Sequence, residues 1–181
     1  MENTEVAITD ITGVAVSEGP GSYTGLRIGG SAAKAFAYAW EVPLLPVSTL
    51  DILIRQAYSR SLRENTLIVP LIDARRMEVY MKITDLSFRE LWSTQALIVE
   101  EGTFADLEDH HLLLVGNGSE KVYDAIGHPS KAYLNVLPEA GFMGKLAYEA
   151  LLSEKSVDPA YFEPFYLKEF QTKKSKDLLR P

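Results

Sequence analysis

The sequence predicts an α/β protein built from two unequal halves. Three observations carry that reading. Short apolar runs bounded by Gly, Pro, Asn and Asp recur along the 181 residues and read as strands. Between them lie alanine- and leucine-rich stretches of helical length. The element order, βαβα and then βββαβαβα, repeats one pattern of architecture, with the opening of the pattern absent from the first half.

Residues 11–16 (ITGVAV) read as a short buried strand, and a turn with three glycines and a proline follows. Residues 26–40 have few breakers and many alanines, which predicts a helix with Ser22 or Thr24 as its cap. Residues 41–47 give a stop and a second strand. Ser48, Thr49, Leu50 and Asp51 form a capping-box pattern with Asp in place of Glu, opening a helix to about residue 60. The second half starts with a strand at 67–72, a polar turn at 73–77, a return strand at 78–83 and a third strand within 89–99. A short helix is expected at 103–108, a buried strand at 111–115, a helix at 120–125 and a strand at 133–136. A long helix is expected at 138–153, with Pro138 near its start. Residues 158–168 (DPAYFEPFYLK) read as an ordered extended segment.

The βββαβαβα order is that of a ribonuclease-H-like unit, the unit duplicated in the sugar kinase, Hsp70 and actin superfamily. The βαβα block is the tail of the same unit. The expected division is therefore a partial first lobe at 1–62 and a second lobe at 63–181, the latter ending in the extended segment and a basic tail.

Composition narrows the function classes. Apolar residues make up 46 % and charged residues 24 %, enough to build a packed core. The absence of cysteine removes disulfides and thiol nucleophiles from consideration. No apolar run approaches the roughly 18–20 residues of a membrane span. The first ten residues carry acids and no Lys or Arg, unlike a secretory signal, so a cytoplasmic location is expected. A net charge of −7 argues against broad direct binding of nucleic acid. Lys168, Lys173, Lys174, Lys176 and Arg180 make the C-terminal stretch basic and read as a solvated tail.

Two segments stand out as candidate sites. In GPGSYTGLRIG, Gly19, Pro20, Gly21, Ser22, Tyr23, Thr24 and Gly25 form a strand-to-helix loop. Such a loop serves either as a plain turn or as an anion cradle at a helix start. No Lys-Ser or Lys-Thr follows the last glycine, so it is not a Walker loop. On the following helix, Gly25, Gly29 and Ala32 lie along one side, and Gly30, Ala33 and Ala37 along the next. Small-residue stripes let another element approach closely, whether the chain's own sheet or a partner helix. Leu26, Arg27, Gly30, Ala33, Lys34 and Ala37 are the partner-facing residues expected on this reading. The second segment, LIDARRMEVY, places Asp73, Arg75, Arg76 and Glu78 in or beside a hairpin turn. Surface ion pairs are the simpler reading there, and binding of phosphate or a partner carboxylate the sharper one.

GPGSYTGLRIG, LIDARRMEVY, LVGNGSEKVYD and DPAYFEPFYLK occur in the order seen in the TsaB (YeaZ) family, which the chain resembles from about residue 10 to 168. The resemblance implies the duplicated ribonuclease-H-like fold and a role in making threonylcarbamoyladenosine beside the tRNA anticodon. It implies a catalytic TsaD-like subunit as partner and a TsaE-like ATPase joining through the complex. It also implies a homodimer when the chain is alone, tRNA met only indirectly, and no chemistry or cofactor of its own. The family's opening strands and first helix are not found before Met1, so an incomplete first lobe is expected.

Two other classes remain. One is a superfamily enzyme, an ATP-dependent phosphotransferase or a glycoprotease-like peptidase. The chain's histidines are His110, His111 and His128, with no His-x-x-x-His pattern, and they read as structural; no catalytic or metal-binding residue is assigned. The other is a module that only self-associates, through the same helix.

Overall fold

The computed structural model describes residues 7–58 and 60–168. The lysines and arginine of the basic tail beyond Lys168 lie outside the described residues. Secondary structure runs β1 (Val14–Gly19), α1 (Tyr23–Ala39), β2 (Leu44–Ser48), α2 (Thr49–Ala57), β3 (Thr66–Asp73), β4 (Glu78–Thr84), β5 (Glu90–Ile98), β6 (His111–Val115), α3 (Ser119–Ala125), β7 (Lys131–Leu134) and α4 (Gly144–Leu152). Single 3-10 turns lie at Ile8–Asp10, Ala105–Leu107 and Ala140–Phe142.

The strands form two sheets. β1 and β2 pair in parallel, and the other five stand in the order β5-β4-β3-β6-β7. β3, β4 and β5 are antiparallel neighbours, whereas β6 and β7 run parallel to β3. Three antiparallel strands followed by parallel ones reached through crossovers fit a ribonuclease-H-like sheet.

Alternation along the strands explains the layers. Leu67, Val69 and Leu71 of β3 point to one face with Val79, Met81, Ile83, Leu112 and Leu114, under Phe104 and α3's Val122. Ile68 and Ile72 point to the other face, with Leu113 and Val115, against Leu50, Leu53, Ile54 and Ala57 of α2. On another side of α2, Ile52 joins Leu45, Val47 and Ala147. Seven of the nine residues of α2 are buried, with Asp51 and Arg55 left at the edge, and α2 is the shared layer between the two sheets. α1 covers the small sheet through Val16, Ala33, Ala37 and Leu44, with Phe162 from the distal end of the chain.

Several expected elements shift. β1 begins three residues late and absorbs Ser17 to Gly19, since it pairs with β2 through Gly19↔Ser48. α1 begins three residues early, because Ser22 caps it by accepting the Gly25 N–H at 3.4 Å. Ser48 makes no capping hydrogen bond; instead the Thr49 hydroxyl meets Ser17 at 2.6 Å. The helix expected at 103–108 is one 3-10 turn. The long helix expected at 138–153 is a 3-10 turn followed by α4, since Glu139 is extended at ψ 135° and the α-helix begins only at Gly144. β7 lies two residues earlier than expected, in register with Leu112–Val115 of β6. Residues 158–168 contain no helix or strand and wrap across α1.

Candidate functional site

The two motif segments, far apart in sequence, face each other across one cleft of about 450 Å³. One wall is the start of α1. Gly19 closes β1 at φ 119°, a left-handed value suited to glycine, and its peptide bond to Pro20 is cis. A Cβ at Gly19 would lie 2.5 Å from the Phe165 carbonyl oxygen, so the loop and the distal segment are packed backbone to backbone. Gly21, Ser22, Tyr23 and Thr24 line the cleft, while Tyr23, Thr24 and Gly25 belong to the first turn of α1 instead of to a loop.

The opposite wall is the β3–β4 hairpin. Arg75 and Arg76 take left-handed φ values of 74° and 49°, unusual for residues with a Cβ. The turn is held by its own polar groups. Asp73 accepts the Arg75 N–H at 2.8 Å, and the Asp73 N–H donates to Asn117 Oδ1 at 3.0 Å. Lys121 Nζ donates to Asp73, to the Arg76 carbonyl at 2.9 Å and to the Glu78 carbonyl at 2.7 Å. Burial works against the charged form of Asp73, but the hydrogen bonds from Lys121 and Arg75 and the Lys121 charge outweigh it. Its carboxyl therefore titrates below the usual range.

Lys168 closes the mouth. Its ammonium donates to both Glu78 oxygens at 2.7 and 2.8 Å, and this bond holds its pKa above the ordinary lysine value. Tyr23 stacks on Tyr166 with ring centroids 4.6 Å apart, and its hydroxyl donates to the Lys168 carbonyl. Lys168, expected in a solvated tail, is thus half-buried in the cleft.

The faces of α1 correct the expected partner stripe. Leu26, Gly30, Ala33 and Ala37 point inward and are buried by the chain itself. A Cβ at Gly30 would touch Phe162 at 3.5 Å and Pro164 at 3.7 Å. Lys34 donates to the Phe162 carbonyl at 2.8 Å, and Arg27 is exposed. The outer face carries Gly25, Ile28, Gly29, Ala32 and Phe36; Ile28 is 66 % and Phe36 50 % exposed, and a Cβ at Gly29 would meet open space. The helical period gives two stripes but not which one faces the sheet. The two large apolar residues on the outer side were the signal that small-residue counting passed over. Asn117, Tyr166 and Lys168 sit in quoted motif segments, yet only the fold brings them to the cleft.

The histidines lie elsewhere. His128 donates from Nε2 to the Leu107 carbonyl at 3.0 Å and accepts the Ser130 N–H at 3.2 Å. His111 Nδ1 meets the Ser130 hydroxyl at 3.0 Å. Among the described residues no three His, Asp or Glu side chains converge on a metal-sized space, and no helix is long and apolar enough to cross a membrane.

Comparison with known proteins supplies independent findings. The family model described as TsaD, tRNA N6-adenosine threonylcarbamoyltransferase, matches residues 1–104. The chain is 30 % identical over 171 residues to the tRNA threonylcarbamoyladenosine biosynthesis protein TsaB of Escherichia coli K12, covering 90 % of this chain and 73 % of that protein. It is 27 % identical over 180 residues to TsaB of Haemophilus influenzae, covering 93 % and 75 %. The solved structure of YeaZ from Pseudomonas aeruginosa superposes with a TM-score of 0.76 at 29 % identity, covering 90 % of this chain and 76 % of that one.

Proposed function

The chain belongs to the TsaB (YeaZ) family, and from that premise we propose that it is a non-catalytic partner subunit in the formation of threonylcarbamoyladenosine on tRNA. In this reading it docks a TsaD-like transferase through the outer face of α1. The observation that carries it is that face: Ile28 and Phe36 stand exposed beside Gly29 and Ala32 on a well-formed, capped helix. Small residues admit a second helix at about 8–10 Å, and the flanking apolar side chains give it area to bury. A TsaE-like ATPase joins through the complex, tRNA is met through the transferase, and the place of action is cytoplasmic. The same face supports a homodimer when the chain is alone, since a homologous subunit presents a similar surface.

The architecture fits two ribonuclease-H-like lobes divided near residue 62. β1, α1, β2 and α2 supply the end of one lobe, β3 to β7 with α3 make up the other, and α4, expected in the second lobe, returns to pack on β2 through Ala147. The cleft between the motif segments is then the space between lobes. The reading assigns no cofactor to the cleft and no chemistry to its residues. Against its burial, Asp73 is held by Lys121 and Arg75, which lower its pKa and make it a poor general base.

Reconstitution tests this. Threonylcarbamoyladenosine, measured by mass spectrometry of digested tRNA, should require the chain in a mixture containing TsaD, TsaE, ATP, unmodified tRNA and an activated threonylcarbamoyl donor. The chain alone should yield none. Equal yield with the chain omitted, or product from the chain alone, would refute the assignment.

A further inference from the structure

We propose that residues 157–168 are a hinged clasp: one end is seated on the small sheet and α1, and the other end latches reversibly across the cleft through Lys168 and Glu78. The segment has no helix or strand of its own, so its position rests on discrete anchors. At the seated end, the Val157 N–H donates to the Leu44 carbonyl at 3.0 Å. Phe162 is 7 % exposed and completes the core formed by Val16, Ala33, Ala37 and Leu44. Lys34 fixes its carbonyl. Midway, the Phe165 N–H donates to the Glu18 carbonyl at 2.7 Å. All these partners lie on β1, α1 or β2.

Beyond Phe165 the anchoring changes character. Tyr166 rests by ring stacking on Tyr23, the Tyr23 hydroxyl donates to the Lys168 carbonyl, and the crossing to the hairpin is made by the Lys168 ammonium on the Glu78 carboxylate. The two side chains are 37 % and 22 % exposed, so water and salt compete for the pair. An aromatic sealed in a core and a half-exposed ion pair differ widely in strength. The segment therefore opens from its Lys168 end while Phe162 stays in place, and the cleft mouth has a closed and an open state.

The chain has no cysteine, which makes site-directed spin labelling clean. In the full chain, one label pair, Leu167→Cys with Arg76→Cys, reports the latch. A second pair, Tyr161→Cys with Ser31→Cys, reports the seated end. In the parent sequence at low salt the latch pair should give a dominant short distance with a minor longer one. Glu78→Gln, or 0.5 M salt on the parent sequence, should raise the population of a longer distance about two- to fivefold and leave the second pair unchanged. Salt should add little to the Glu78→Gln variant. A latch distance unaffected by both Glu78→Gln and salt would overturn the proposal. So would a joint shift of both pairs, which would mean that the segment leaves as one piece. The salt arm keeps the test decisive if the variant folds poorly.

Discussion

The two sheets solve the problem of burial in different ways. The five-stranded sheet is closed on both faces by large aliphatic side chains, with Ile68, Leu71, Met81, Ile83, Leu112 and Leu114 fully buried. Its core draws on neighbouring strands, α2 and α3. On one face the two-stranded sheet is covered by a helix whose inner side is mostly glycine and alanine, and the large aromatic of that cluster arrives from residue 162, while Ile52, Phe142 and Ala147 cover the other face. The difference separates tasks. The larger sheet supplies stability. The smaller one carries a helix with a thin inner face and an apolar outer face that no described residue covers.

That comparison can be broken or sharpened by substitution. Leu114→Ala removes a fully buried side chain from the large core and should cost about 4 kcal/mol in urea unfolding. A loss below about 2 kcal/mol would mean that the large core is not where stability resides. Phe162→Ala should cost somewhat less, about 3 kcal/mol, because its pocket lies against α1 and the clasp. Its loss should also raise protease sensitivity around α1 while β3 to β6 stay protected.

Acid should act on the large sheet through His111, and more gently. Burial, and then the charges of Arg63 and His128, lower the His111 pKa below its ordinary 6.5. Above about 6.5 both folded and unfolded forms are neutral there, and stability is full. As pH falls through that value the unfolded chain takes up the proton first, so stability declines until the lowered folded pKa is passed. Melting temperature should drop between pH 7.5 and 5.5, and His111→Gln should flatten that slope. An unchanged slope in the variant would assign the acid response to other groups. The smallest expected effect on folding is that of Gly29→Arg, whose side chain enters open space. Stability should stay the same or rise by up to about 1 kcal/mol, since glycine is a poor helix former.

Sequence reading succeeds where a local pattern and the tertiary environment agree. The run His111–Val115 is apolar, short and bounded by turns, and it is a strand with those bounds. Asp73 to Glu78 reads as a hairpin turn, and it is one, braced by Lys121 from α3. Reading fails where a residue's role is set from afar. Ser17 and Glu18 fall beyond the strand expected at 11–16, yet they extend β1, because β2 pairs with the strand through Gly19 and Phe165 bonds to the Glu18 carbonyl. Ser48 fits a capping box but makes no such bond. Gly30, Ala33 and Ala37 form a stripe that fits a partner helix as well as an aromatic from the same chain, and only Phe162 decides between them. Lys168 belongs by composition to a basic tail and by structure to the cleft.

The central claim is that the outer face of α1 docks the transferase. It is tested most directly by mixing the chain with purified TsaD and measuring mass by light scattering during size-exclusion chromatography. The parent chain should form a one-to-one complex. Gly29→Arg, folded and no less stable, should weaken that complex by at least about tenfold, because a long cation then fills the space meant for a partner helix. A Gly29→Arg variant that pairs as tightly as the parent chain would contradict the account.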